Sequence, residues 1–429
     1  MARGLLCKDT AEDSPMFMAK DRVSAELDRV RNRTHAIVAT VPDDVLCGQH
    51  HELMGPLLWD LGHIAAFEDL WLVRVLSGFA PPAAEMGLNL IYNPFEYPRA
   101  VRGTIELPSR DETAAELVRV RTATLDRLAL GPTDCDPQLA SGGFIWAMVA
   151  QHEAWHQETM LVSLNLRTDF HYQPSFAHVT PQLDPVADDE MVRIAGGHSM
   201  MGTDDRSRAY DNERCLHPVE LPDFEIDKYP VSNARYLRFV EATDATPPLG
   251  WKHLDGRWWR HSFGVTSPLD LREPVMHVSW HEAQRFAAWE GKRLPTEAEW
   301  AKAARWDPEA QALRTFPWGE QPIDGSRCNV DHGALKPARL GSFPAGASAY
   351  GCQQMLGDVW EWVEDALAPY PQFEAWPYEE FSVPFFENNR VLRGGSFATG
   401  SSLVRGSLRN WDLPERRQVF VGFRCARDV

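Results

Sequence analysis

Up to about Arg167 the apolar positions recur at helical spacing, and beyond about Asp189 they do not. From Met16 to about Thr40, Val23, Leu27, Val30 and Ile37 repeat at roughly 3.6 residues among charged neighbours, which predicts a helix. A second predicted helix runs from Leu57 to Leu76 with Trp59, His63, Phe67 and Leu70 on one face. A third covers Glu112 to Leu128, and a fourth covers Phe144 to Arg167, FIWAMVAQHEAWHQETMLVSLNLR. A link carrying Pro81, Pro82, Pro94 and Pro98 lies between the second and third. Four helices with irregular connections predict a four-helix bundle over residues 1–175.

After Phe170 the stretch HYQPSFAHVTPQLDPVADDE has three prolines and no period, which predicts a domain boundary. Over residues 190–429 short apolar strands, such as Met191 to Ile194 and Val391 to Arg393, alternate with glycine-rich turns. Two helices are predicted there, Trp280 to Glu290 and Thr296 to Ala304, the latter opened by Pro295 and Thr296. Only Trp59, Trp71, Trp146 and Trp155 precede the boundary, so 12 of the 16 tryptophans lie beyond it. That distribution predicts an α+β domain held together by buried aromatics.

Composition narrows the function. The 61 acidic against 43 basic residues give a formal charge of -18, which leaves no broad cationic surface for a phosphate backbone, so nucleic acid is not expected as a partner. No apolar run is long enough to span a bilayer and the N-terminal stretch lacks a signal-peptide core, which predicts a cytoplasmic protein without a membrane partner. The seven cysteines are scattered singly, as reduced thiols would be.

The chemistry gathers on two of the helices. His152 and His156 are four residues apart, so they stack on one face, which continues through Ile145, Met148 and Met160 toward a bundle core. His63 points inward from a neighbouring helix. Taken singly, such a histidine is more often a satisfied core residue than a ligand; three of them meeting in one bundle predict a metal. The set occupies one face of an octahedron, and both zinc in a hydrolase and iron(II) in an oxygen-using enzyme are consistent with it. HEAWH also matches H-E-x-x-H, with Glu153 in the place of the water-activating glutamate. No glycine-turn-histidine extension follows, and a third zinc ligand would have to come from His171 or His178. His277 and His281 repeat the spacing without a third partner nearby and read as structural. A calcium ion in the acidic loops of the second domain stays open.

LMGPLLWDLGHIAAFEDLWL, MVAQHEAWHQETML, RLPTEAEWAKAARWDP, GDVWEW, RVLRGGSF, RNWDLPERRQVF and GFRCAR, in this order, resemble the ergothioneine-biosynthetic sulfoxide synthases from about residue 20 to the end. The resemblance implies a multidomain α and α+β fold: a DinB-like four-helix bundle followed by a C-type-lectin-like domain of the formylglycine-generating-enzyme type. It implies that His63, His152 and His156 hold iron(II), and that hercynine and a γ-glutamylcysteine-type thiol are the small-molecule substrates, with dioxygen as co-substrate. By the same resemblance Tyr378 supplies a proton or electron during oxygen reduction, and Asn410 with Trp411 holds the betaine end of hercynine. Arg99, Arg102, Asp412 and Arg416 hold the charged ends of the thiol.

The departures concern the sulfur donor. Trp155 stands where several relatives have glutamine before the last iron histidine, and Ala65, Ala66 and Phe67 replace polar residues near His63. The loop ENNR before Val391 is shorter. The sister selenoneine synthases join hercynine to a selenium-bearing sugar, and an aromatic platform at Trp155 suits a neutral sugar. Formylglycine generation is not expected: that chemistry uses a cysteine pair just before the terminal Gly-Phe-Arg-Cys phrase, and none lies between Cys352 and Cys425.

Overall fold

The computed structural model describes residues 20–78, 90–130, 139, 141–174, 185–331 and 334–429. Helix α1 (Lys20–Val38) buries Val23, Leu27, Val30 and Ile37, the four positions that the periodicity singles out. A short α2 (Asp43–Cys47) precedes α3 (Leu57–Glu68), which buries Trp59, His63 and Phe67 on one stripe. The predicted run toward Leu76 continues without a break but changes winding. Asp69–Arg74 form a π-helical turn, and Val75–Ser77 a 3-10 turn ended by Gly78 at φ 91. Helices α4 (Arg110–Leu130) and α5 (Phe144–Leu166) complete the bundle, with α5 packed on α1 and α3. Residues 16–19, Pro81, Pro82 and residues 175–184 of the boundary lie outside the described residues.

Beyond the boundary, Met191–Ile194 pairs antiparallel with Phe224–Asp227, which also pairs with the last strand, Ala426–Asp428. The start and end of this region are thus held in one sheet. A four-stranded sheet runs Asn410–Asp412, Arg390–Arg393, Trp360–Ala366, Val421–Phe423, antiparallel except at the last pair. Helix α6 (Asn233–Ala242) corrects the expectation of two helices here: Ser232 caps it, and Tyr236, Phe239 and Val240 are buried. Helices α7 (Trp280–Trp289) and α8 (Glu297–Arg305) lie where predicted. Each opens with a reciprocal capping pair, Ser279 with Glu282 and Thr296 with Glu299.

Several of the sequence phrases turn out to be one internal polar skeleton. Arg424 of GFRCAR pairs with Glu361 of GDVWEW at 2.7 and 2.8 Å, and the Trp300 indole N–H donates to the same carboxylate at 2.8 Å. Arg393 and Arg409 both donate to Glu297 at 2.8 Å. These buried pairs fix the strands that reach the site.

Helix α5 is buried around most of its circumference, because the second domain covers the face that a lone bundle would leave to water. The Glu158 carboxylate accepts the Trp360 indole N–H at 2.8 Å, the Ser396 hydroxyl at 2.6 Å and the Thr399 hydroxyl at 2.7 Å. Asn165 meets His277 at 3.1 Å and Ser262 at 2.7 Å. Among the described residues no helix is long and apolar enough to cross a membrane.

Candidate metal centre

His63 on α3 and His152 and His156 on α5 converge, with one ring nitrogen from each within 4.8 Å of the others. The ring centroids lie 4.6 to 4.9 Å apart, and the Nε2 atoms of His63 and His152 are 3.0 Å apart. Each ring is held differently. His63 Nδ1 lies 2.7 Å from the Tyr92 carbonyl oxygen, so it carries the proton and leaves Nε2 as the free lone pair. His156 Nδ1 lies 2.8 Å from Asp60 Oδ1. Trp59 stacks on His63 at 4.7 Å, and Phe67 lies flat against His152 at 3.6 Å and 9°. Burial is the main cause that depresses the His63 and His152 pKa values well below the usual range, so both rings are neutral. Three imidazoles, two of them held neutral and two fixed by a backbone carbonyl or a carboxylate, fit a borderline divalent ion such as iron(II) or zinc(II). Among the described residues this is the one such group of His, Cys, Asp or Glu donors.

Gly62 makes the carbonyl contact sterically feasible. A Cβ on that residue would lie 2.2 Å from the Tyr92 ring, so only glycine lets Tyr92 approach α3 this closely.

The histidines open into a cavity of about 570 Å³ between the bundle and the second domain. Arg99, Arg102, Trp155, Tyr378, Asn410, Trp411 and Asp412 all line it. Trp155 stacks on Trp360 at 5.8 Å and 12°, forming an indole wall. Its indole N–H approaches the Tyr210 hydroxyl without a well-formed hydrogen bond. Tyr378 packs on Trp71 at 5.6 Å and on Phe67 at 6.4 Å. Burial pushes its phenol well above the usual value, so it retains its proton. Arg102 covers the Trp59 ring at 3.5 Å, and burial lowers its pKa to about 10. Burial raises the Asp412 carboxyl against the opposing charges of Arg99 and Arg416.

Arg416 does not line the cavity; its Nε is 3.9 Å from Asp412 Oδ1, behind that residue. Glu153 corrects the H-E-x-x-H alternative. Its carboxylate faces away from the histidines and into the bundle, where Arg31 at 2.8 Å, the Thr34 hydroxyl at 2.6 Å and Arg121 at 3.5 Å hold it. A carboxylate so engaged cannot activate a water on the metal. His171 is exposed and does not line the cavity, and His178 lies outside the described residues. His277 is structural as expected: it is buried and bonded to Asn165 and to the Arg417 carbonyl at 3.1 Å. His281 is exposed.

Asp60, Trp59, Tyr92, Glu158, Trp360 and Phe381 belong to the site or support it, and, Asp60 apart, the sequence pattern does not mark them as such. For Asp60 a signal exists, since it precedes His63 by three residues and so shares its side of the helix.

Residues 26–160 match the DinB superfamily model, and residues 176–429 match the sulfatase-modifying factor enzyme 1-like domain. Hercynine oxygenase of Mycolicibacterium smegmatis is 40% identical over 96% of this chain and 100% of its own length. Hercynine oxygenase of Mycobacterium tuberculosis is 42% identical over 95% of this chain and 99% of its own. The formylglycine-generating enzyme of Streptomyces coelicolor is 33% identical over 58% of this chain and 92% of its own.

Proposed function

The chain belongs to the hercynine oxygenase family, built from a DinB-type helical domain and a C-type-lectin-like sulfatase-modifying-factor domain, and from that premise we propose an iron(II)- and dioxygen-dependent sulfoxide synthase. It joins the sulfur of a γ-glutamylcysteine-type thiol to the imidazole C2 of hercynine. The balance closes: the C2–H and S–H bonds are lost, a C–S bond forms, one oxygen atom becomes the sulfoxide and the other leaves as water.

The observation that carries this reading is the opening of three converging imidazoles into a cavity of about 570 Å³. Iron(II), held there by His63, His152 and His156, would supply the chemistry of dioxygen reduction. The protein's own residues do the rest. Trp411, held between Phe381 at 5.7 Å and Phe385 at 5.3 Å, offers an aromatic face to the trimethylammonium group. Asn410 supplies polar contacts at the same end. Tyr378 retains its phenol proton and can donate it from Oη to the oxygen that leaves as water. Arg99 and Arg102 present guanidinium groups to the carboxylates of the thiol. Asp412, with Arg416 behind it, faces the ammonium group of the thiol.

A second reading has one observation in its favour. The Trp155–Trp360 wall suits a neutral sugar face, as a selenosugar donor would present.

The test uses full-length protein reconstituted with iron(II) and supplied with hercynine plus either γ-glutamylcysteine or a selenosugar. Oxygen uptake and product mass are read together. Uptake coupled to the sulfoxide mass supports the thiol reading, and product only with the selenosugar moves the donor. No uptake and no product with either donor would end the proposal.

A further inference from the structure

Tyr378 sits in a stretch, 376–382, whose only regular element is the single 3-10 turn Glu379–Phe381. Contacts from outside must therefore hold the phenol in place. Beside the Trp71 and Phe67 rings against the phenol and Phe144 against Trp376, the polar contacts to the loop come from one short segment, Tyr210 to Arg214. The Asp211 carboxylate accepts the Trp376 backbone N–H at 3.2 Å and the Ser382 hydroxyl at 2.6 Å, so one group ties the loop on both sides of Tyr378. The Asn212 side chain donates to the same hydroxyl at 3.0 Å. Tyr210 stacks on Phe381 at 4.3 Å and 23°, and the Arg214 guanidinium lies over the Trp376 ring at 4.8 Å.

The segment is itself anchored. Buried Glu213 accepts the Tyr210 N–H at 2.9 Å and the Ser407 hydroxyl at 2.7 Å, and it pairs with Arg405. Asp211 is 1% exposed and does not line the cavity, so it meets the chemistry through the loop it ties and through the pull of its charge on the Tyr378 phenol. Burial raises its carboxyl to about 6, and the hydrogen bonds to Trp376, Ser382 and the Asn212 N–H offset that cost.

We propose that Asp211 is a positioning residue for Tyr378, fixing the phenol at the histidine cavity by tethering the loop on either side of it. The inference rests on the assignment of Tyr378 as proton donor.

The test compares Asp211→Ala, Asp211→Asn and Ser382→Ala in the full-length protein, each alone and with Tyr378→Phe. Amide hydrogen exchange across 376–386, without metal or substrates, should quicken by about tenfold or more in Asp211→Ala while α5 is unchanged. In turnover, kcat should fall by about 10- to 100-fold with KM for hercynine within about twofold, as expected when a reacting group is displaced by about 1 Å. In the Tyr378→Phe background, Asp211→Ala should lower the rate no further. Should Asp211→Ala fail to fold, Asp211→Asn and Ser382→Ala carry the same comparison with smaller shifts. Unchanged exchange, an effect confined to KM, or an equal loss in both backgrounds overturns the inference. A Tyr378→Phe variant with full rate overturns the tyrosine assignment, and this inference with it. An impaired Tyr378→Phe beside an Asp211→Ala of unchanged exchange overturns the inference alone.

Discussion

The two walls of the cavity follow different physical plans. On the bundle side, the three histidines stand on two packed helices, and each is oriented by a neighbour at short range: the Tyr92 carbonyl, Phe67 and Asp60. On the other side, Tyr378, Asn410, Trp411 and Asp412 stand on a loop and an edge strand. Side chains distant in sequence hold them there. Rigid helices suit a metal, which tolerates little misplacement of its ligands; loops and edges suit recognition of substrates that differ among relatives. The two glutamates on α5 repeat the contrast. Glu153 faces the bundle as one member of a buried ion-pair cluster with Arg31 and Arg121, whereas Glu158 faces the second domain among neutral donors.

The contrast can be tested, beginning with the largest expected effect. His156→Ala removes one of three donors and should abolish stoichiometric iron binding and oxygen uptake while circular dichroism stays native. Normal iron content would remove the metal assignment from the bundle wall. Glu153→Gln leaves Arg31 and Arg121 with an incomplete counter-charge and should cost about 3–5 kcal/mol in denaturant unfolding. Turnover per folded molecule should persist; a variant as stable as the parent but inactive would restore the hydrolase reading. Asp60→Asn should weaken iron(II) affinity by about 10- to 100-fold, measured by competition with a chelator, with little change in stability.

The smallest effect belongs to Glu158→Gln. Burial raises the Glu158 pKa above the usual carboxylate range, so the folded state holds its proton more tightly than the unfolded chain. The stability this gives is fully present at low pH and lost as pH rises through the folded-state pKa. Glutamine mimics the protonated form and should change stability by about 1 kcal/mol or less near pH 5. Its melting temperature should then gain on the parent toward pH 8. The opposite slope would mean that Glu158 is bound as an anion.

The same division governs what the sequence discloses. The bundle is legible because a helix puts its chemistry at fixed spacing: Val23 to Ile37, Trp59 to Leu70 and the two histidines of α5 each point where a 3.6-residue period puts them. Local spacing cannot reveal that Glu153, one residue from His152, turns the opposite way, because Arg31 lies 122 positions earlier. In the second domain α7 and α8 are legible from their capping residues. Helix α6 carries the same kind of mark, Ser232 as its cap and apolar positions at helical spacing, in a region where strands dominate the pattern. Residues 410–412 and Tyr378 entered through family resemblance alone, since no periodicity reports which loop ends beside a cavity. The tether from Asp211 to Ser382 spans 171 positions and follows from tertiary packing.

The Glu158 contacts bear on how such a protein can be inherited. One helix carries two of the three converging histidines and, two residues past His156, the acceptor for Trp360, Ser396 and Thr399. A recombination event that exchanged either half for a homologue would have to bring matching partners for that carboxylate, or leave three donors facing it unmet. The junction therefore behaves as a lock and key within a single chain, each half shaped to the other through that one carboxylate.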